Sequence, residues 1–226
     1  MSQTLEDIRL CVFDAYGTLF DPASVARSAR DALGERWQAL ASLWRDKQLQ
    51  YTWLRGLAGH HADFWQVTGD ALDFSLAQLD IDDDALRERL MQAYLAIDAY
   101  PEVPDTLDAL AARGMRRAIL SNGSPAMLDA AVANAGIGDR LDAVMSVEAV
   151  GVFKPHPSVY ALATTHFGVA PQQVCFLSSN GWDAYSAKAF GFRVLWCNRF
   201  RQAPERIPHT PDGEIADLSA LTQWLA

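Results

Sequence analysis

A chain of 226 residues, 50% apolar and 21% charged, is long enough for a full core and has the balance of a soluble globular protein; one domain with an insertion fits this length better than two independent domains. The formal net charge of -9 argues against a nucleic-acid or anionic-membrane partner held by bulk electrostatics, but not against an anionic substrate met by a local Arg or Lys. The three cysteines, Cys11, Cys175 and Cys197, lie in or beside apolar runs and read as buried free thiols of a reducing cytosol. No run approaches a membrane span, and the polar start Met1-Ser2-Gln3-Thr4-Leu5-Glu6-Asp7 is no secretory signal, so a cytoplasmic protein is expected.

The first predicted element is the apolar run Ile8, Leu10, Cys11, Val12 and Phe13, the texture of a strand buried on both faces. Asp14 sits where that run stops, with Gly17 three residues on to turn the backbone. Residues 22 to 97 then read as helices only. Trp37, Leu40, Trp44, Tyr51, Leu54 and Ala58 recur at helical spacing, as do Phe64, Val67, Ala71 and Phe74, and then Leu86, Leu90, Ala93 and Ile97. Asp80, Asp82, Asp83 and Asp84 mark the break before the last of these, supplying caps and negative charge at a helix N-terminus.

From residue 101 the texture alternates. Pro101 and Pro104 precede a helix through Leu107, Leu110 and Ala111 that Gly114 can close. Strands are expected over residues 117–120, 143–147, 174–177 and 193–196. Helices between them run through Met127, Leu128, Ala131 and Val132, over 157–167, and through Ala184, Ala187 and Ala189. This alternation predicts βαβ crossovers and a parallel, doubly wound α/β sheet of Rossmann-like form. The core would take residues 1–21 and 98–226, and residues 22–97 would form an all-helical cap inserted after the first strand.

Each predicted strand is followed by polar residues. The first delivers Asp14 and Thr18; the second, Ser121-Asn122-Gly123-Ser124; the third is followed by Lys154 between Phe153 and Pro155; the fourth by Ser178-Ser179-Asn180-Gly181-Trp182-Asp183. In a parallel sheet such ends converge on one crevice. Two carboxylates, an ammonium, hydroxyls, amides and aromatic rings gathered there suit nucleophilic catalysis by a carboxylate on an anionic substrate. The five histidines and three cysteines nowhere show zinc spacing, and adjacent His60 and His61 make a poor metal pair.

The four motifs Phe-Asp-x-Tyr-Gly-Thr-Leu, Leu-Ser-Asn-Gly-Ser, Lys-Pro and Ser-Ser-Asn-x-Trp-Asp, in this order, resemble those of the haloacid dehalogenase superfamily, and most closely the L-2-haloacid dehalogenases. The likeness runs through nearly the whole chain and includes the segment from Leu43 to Arg55. It implies hydrolysis of short-chain L-2-haloalkanoates to D-2-hydroxy acids and halide, with no cofactor and no metal, in a homodimer.

The resemblance assigns the nucleophile to Asp14, which displaces the halide to give an aspartyl ester that water then cleaves. Lys154 and Thr18 would orient Asp14, and Asp183 and Asn180 would handle the hydrolytic water, Asp183 as general base. Ser178 and Tyr160 match supporting positions. Arg45 and Asn122 would take the halide, with Phe64 an apolar wall. Ser121 would hold the substrate carboxylate, and Tyr16, Leu49 and Trp182 would bound the alkyl pocket. On a helix Arg45 and Leu49 share a face, off the Trp37-Leu40-Trp44 stripe, that could overhang the crevice. Gly181 stands where relatives commonly carry alanine and would loosen its loop.

Two other readings compete. A magnesium-dependent phosphatase of the same superfamily usually carries Asp-x-Asp, but the second position here is Tyr16, which cannot protonate a leaving group in that way. A catalytically idle binder is opposed by the intact set Asp14, Lys154 and Asp183.

Overall fold

The computed structural model describes residues 4–27 and 30–226; residues 1–3 of the polar start, and residues 28 and 29 of the helical stretch, lie outside them. Six parallel strands form one sheet among the described residues: β1 (Leu10–Phe13), β2 (Arg116–Ser121), β3 (Ala143–Ser146), β4 (Val174–Ser178), β5 (Arg193–Cys197) and β6 (Gly213–Ile215). Their spatial order is β3-β2-β1-β4-β5-β6. The chain therefore builds outward from β1 in one direction and, after β3, crosses over to its other side. β1 pairs with β2 from Leu10↔Arg116 to Phe13↔Ile119 and with β4 from Leu10↔Val174 to Phe13↔Leu177. This central place explains its unbroken apolar run, since neither face meets water.

Helices α1 (Pro22–Arg27), α2 (Arg30–Leu33), α3 (Arg36–Ala58), α4 (Phe64–Gln78) and α5 (Asp84–Leu95) lie between β1 and the rest of the sheet in sequence. Asp63 caps α4 by accepting from Gln66 N, and Asp83 caps α5 by accepting from Leu86 N, the role expected of that acidic cluster. The two chain passages that enter and leave this block run side by side: Asp21 N donates to Asp98 O and Tyr100 N to Leu19 O, each at 2.9 Å. The crossovers of the sheet are carried by α6 (Val103–Ala112), α7 (Pro125–Asn134), α8 (Pro157–Phe167) and α9 (Gly181–Phe190). Among the described residues no helix is long and apolar enough to cross a membrane.

Two expectations need correction. The apolar stripe of α3 does not continue through Leu54 and Ala58, which are exposed; the buried line is Leu40, Trp44, Gln48 and Thr52. A spacing of four carries that line around the helix, and its polar members are tolerated because both are hydrogen-bonded. The short edge strand β6 and the 3₁₀ turn at Leu218–Gln223 were not expected, because residues 198–226 contain no long apolar run.

Candidate active site

β1 hands its last pairing to Asp14, whose backbone N–H donates to Leu177 O at 2.9 Å. The carboxylate thus emerges where the sheet opens. The chain then turns back at once: Gly17 N donates to Phe20 O, and Gly17 has φ of 95°. A Cβ there would also stand 2.8 Å from Ser179 Oγ, so the turn brings the first and fourth strand ends closer than any side chain would allow.

Three donors converge on Asp14. Lys154 Nζ donates to Oδ1 at 3.0 Å, while Asn180 Nδ2 at 2.9 Å and the Thr18 hydroxyl at 3.3 Å donate to Oδ2. The Ser179 backbone N–H donates to Thr18 Oγ1 at 2.8 Å, and the Thr18 hydroxyl has Ser179 Oγ at 3.4 Å as a second acceptor beside the charged Asp14. Lys154 Nζ also donates to Asp183 Oδ2 at 2.9 Å, and the Tyr160 hydroxyl donates to Asp183 Oδ1 at 2.7 Å. Ser178 serves one step back, its Oγ accepting from Asn180 N at 3.2 Å.

This inner group is almost without solvent: Lys154 is 1% exposed and Asp183 0%. Burial alone would push the Lys154 ammonium down, but Asp14 and Asp183 together outweigh it and hold its pKa above the ordinary lysine value. Burial pushes the Asp183 carboxyl up, and Lys154 only partly offsets that. Tyr160 is held well above the ordinary tyrosine value by burial and by Asp183, so it is a proton donor here. Asn122 ties the second strand end to Lys154, its Oδ1 accepting from Lys154 N at 3.0 Å. Ser121 Oγ accepts from Gly123 N at 3.0 Å, leaving the Ser121 hydroxyl proton available.

The helical block supplies an outer layer. Arg45 reaches from α3 across to α9's first turn, with Nη2 donating to Asn180 Oδ1 at 3.1 Å. Asn180 therefore bridges Asp14 and Arg45 and has its amide fully engaged. Phe64, the first residue of α4, is buried against Tyr16 with ring centroids 5.9 Å apart. Arg45, Leu49 and Trp182 line a cavity of about 370 Å³ together with Asn180. Tyr16 does not line it: its ring is drawn into a cluster with Phe64, Tyr94 and Phe20. That aromatic packing with Phe64 fixes the Tyr16 ring beside the start of α4. Burial and the neighbouring Tyr94 and Asp14 raise the Tyr16 pKa, and its hydroxyl has no hydrogen-bond partner among the described residues. At Gly181 the space a Cβ would need is occupied by the Glu205 side chain at 2.9 Å.

Three further residues make contacts at the site but received no role from the sequence. Ser179 contacts Thr18 through its backbone. Arg199 donates to Thr18 O at 2.8 Å, pairs with Glu102 at 2.5 Å and stacks 3.9 Å from the centre of the Tyr100 ring. Gln48 Oε1 accepts from Arg45 Nη1 at 2.7 Å. Ser179 stands within the Ser-Ser-Asn motif, and Gln48 is marked as a polar residue continuing the apolar line Leu40, Trp44 at the same spacing.

Comparison with known proteins identifies the family. Residues 8–191 match the family of haloacid dehalogenase-like hydrolases. The chain is 44% identical over 220 residues to an (S)-2-haloacid dehalogenase of Pseudomonas sp. (strain YL), covering 97% of this chain and 95% of that protein. It is 49% identical over 196 residues to an (S)-2-haloacid dehalogenase of Xanthobacter autotrophicus, covering 86% and 77%. The structure of an L-2-haloacid dehalogenase from Xanthobacter autotrophicus with chloropropionic acid covalently bound superposes with a TM-score of 0.89 at 42% identity, covering 96% of this chain and 97% of that one. The chain belongs to the haloacid dehalogenase-like hydrolases and, within them, to the L-2-haloacid dehalogenases, which act on carbon–halide bonds.

Proposed function

We propose that this dehalogenase hydrolyses short-chain L-2-haloalkanoates to D-2-hydroxy acids and halide, with Asp14 as the nucleophile. One Asp14 oxygen attacks the substrate carbon in line, and the carbon–halogen bond breaks with its electron pair leaving on the halide. The carbon is inverted and an aspartyl ester forms. Water then attacks the ester at the Asp14 carbonyl carbon and passes a proton to Asp183. On collapse the remaining water proton passes to the departing oxygen, so the hydroxy acid leaves, Asp14 is a carboxylate again, and Asp183 gives up its proton to solvent. A carboxylate is a weak nucleophile in water, so the site must strip its hydration and fix its direction.

The observation that carries this reading is Asp14 itself: nearly buried, at a strand end, held by Lys154, Asn180 and Thr18, with an aromatic residue two positions on. The raised pKa of Asp183 suits it to accept the proton of the attacking water, with Tyr160 and Lys154 holding its orientation. Arg45 takes the leaving halide together with Asn122, and Phe64 shields it. Ser121 takes the substrate carboxylate, and Leu49 and Trp182 bound its alkyl group, with Tyr16 behind Phe64. Asn180 acts on Asp14 and Arg45, and Ser178 holds Asn180 in place. Residues 22–97 act as a cap on a core of residues 1–21 and 98–226, since Arg45 must come from outside the sheet to meet Asn180. The enzyme works as a cytoplasmic homodimer, a reading supported by three buried free thiols and by Leu54 and Leu57 left exposed on α3.

The test is halide release from each enantiomer of 2-chloropropionate, with and without a chelator. Release is expected from the L form, indifferent to the chelator and abolished in Asp14→Asn. Preference for the D form would overturn the stereochemical assignment. Magnesium-dependent turnover of a phosphate monoester without halide release would favour the phosphatase reading instead.

A further inference from the structure

Gln48 is fully buried under α3, and both ends of its amide are engaged. Oε1 accepts from Arg45 Nη1 at 2.7 Å, while Nε2 donates to Thr68 Oγ1 at 2.8 Å and to Tyr94 OH at 3.3 Å. The direction of the amide follows from its partners. A guanidinium can only donate, so it must face the carbonyl oxygen. Thr68 spends its own proton on Phe64 O at 2.6 Å, so its oxygen must accept from Gln48. A one-way chain results, running from Arg45 through Gln48 and Thr68 to the Phe64 carbonyl. Flipping the amide would set an NH₂ against the guanidinium and leave Thr68 facing an oxygen with no proton to give. Gln48 therefore holds Nη1 at one place while Nη2 remains on Asn180 Oδ1. Being neutral, it does so without cancelling the arginine charge, as a carboxylate would.

We propose that Gln48 is a positioning residue, locked by Thr68, that sets the Arg45 guanidinium for the departing halide; the inference rests on the reading of Arg45 as the halide partner. As the Asp14 oxygen–carbon bond forms and the carbon–halogen bond breaks, negative charge grows on the halogen. A displaced guanidinium stabilises that charge less. The loss falls harder on chloride, the poorer leaving group, than on bromide.

The experiment compares kcat/KM for L-2-chloropropionate and L-2-bromopropionate, which reports the steps through halide displacement. Gln48→Met keeps the volume but cannot accept from Arg45. It is expected to lose about tenfold on the chloride substrate, the order of one hydrogen bond to a charged group, and less on the bromide, so the bromide/chloride ratio rises. Thr68→Val, which frees the amide to flip, moves the ratio the same way by a smaller step. Gln48→Glu keeps the acceptor but neutralises the arginine, and raises the ratio at least as far as Gln48→Met. Arg45→Lys is measured alongside. If it raises the ratio while folded Gln48→Met and Thr68→Val lower both substrates equally, or not at all, the positioning role is overturned and the halide reading stands. If Arg45→Lys leaves the ratio unchanged, the halide reading fails and the inference falls with it. Should Gln48→Met not fold, as judged by circular dichroism, Thr68→Val alone decides the same question.

Discussion

Lys154 is shared between two carboxylates, and that sharing divides their work. Asp14 is held by three donors and keeps a fixed direction, whereas Asp183, fully buried, has a raised affinity for a proton. Asp183→Asn is therefore expected to spare displacement and stall ester hydrolysis. Halide should appear as a burst of one equivalent per site, with kcat lowered by about 10²–10⁴. In the unaltered enzyme, single-turnover decay of the ester should slow as pH falls through the Asp183 pKa, at a pH above that of an ordinary aspartate. Lys154 works in the opposite range. Its raised pKa means that its ion-pair contribution to stability is complete below the ordinary value of 10.5 and is lost as pH rises through the higher folded value. Lys154→Met leaves Asp14 and Asp183 facing each other without a cation, at a cost of about 3–5 kcal/mol in urea unfolding at neutral pH. Asp14 was legible because it ends an apolar run, and Lys154 and Asp183 because they stand in ordered motifs after the later strands. Gln48 shares the spacing of Leu40 and Trp44, but a lone polar residue on an amphipathic helix is ordinarily solvated, and only packing shows that this one is buried.

At the scale of elements, the turn after β1 does as much as the strand. Gly17 has both a positive φ and Ser179 Oγ where a Cβ would go. Gly17→Ala is expected to destabilise by about 1–3 kcal/mol from backbone strain, read by urea denaturation. Activity should fall further than stability explains, because Ser179 contacts Thr18, a donor to Asp14. Helix α3 shows the limit of periodicity. Its apolar residues predicted a helix correctly, but the buried face follows Leu40, Trp44, Gln48 and Thr52 and leaves Leu54 exposed. Periodicity reports which residues share a face; the neighbour decides which face is covered.

At the scale of the molecule, the site is assembled from two parts of the chain that meet at Arg45 and Asn180, 135 residues apart in sequence. Arg199 strengthens the join by holding Thr18 and, through Glu102 and Tyr100, the passage that leaves the helical block. The exposed Leu57, at 88%, with Leu54 beside it, belongs to the face expected to be covered in the homodimer. Leu57→Glu should shift the mass seen by light scattering from two chains toward one. A single-chain mass for the unaltered protein would end that reading.

By itself the sequence determined the parallel sheet, the helical block, the carboxylate at the end of β1 and the set of polar strand ends, because these rest on local periodicity and ordered motifs. Only the tertiary structure decided that Asn180 joins Asp14 to Arg45, that Tyr16 turns into the aromatic cluster, and that Gln48 lies between Arg45 and Thr68. Those outcomes depend on side chains competing for partners across elements, and a hydrogen bond spanning 135 positions leaves no mark in local spacing.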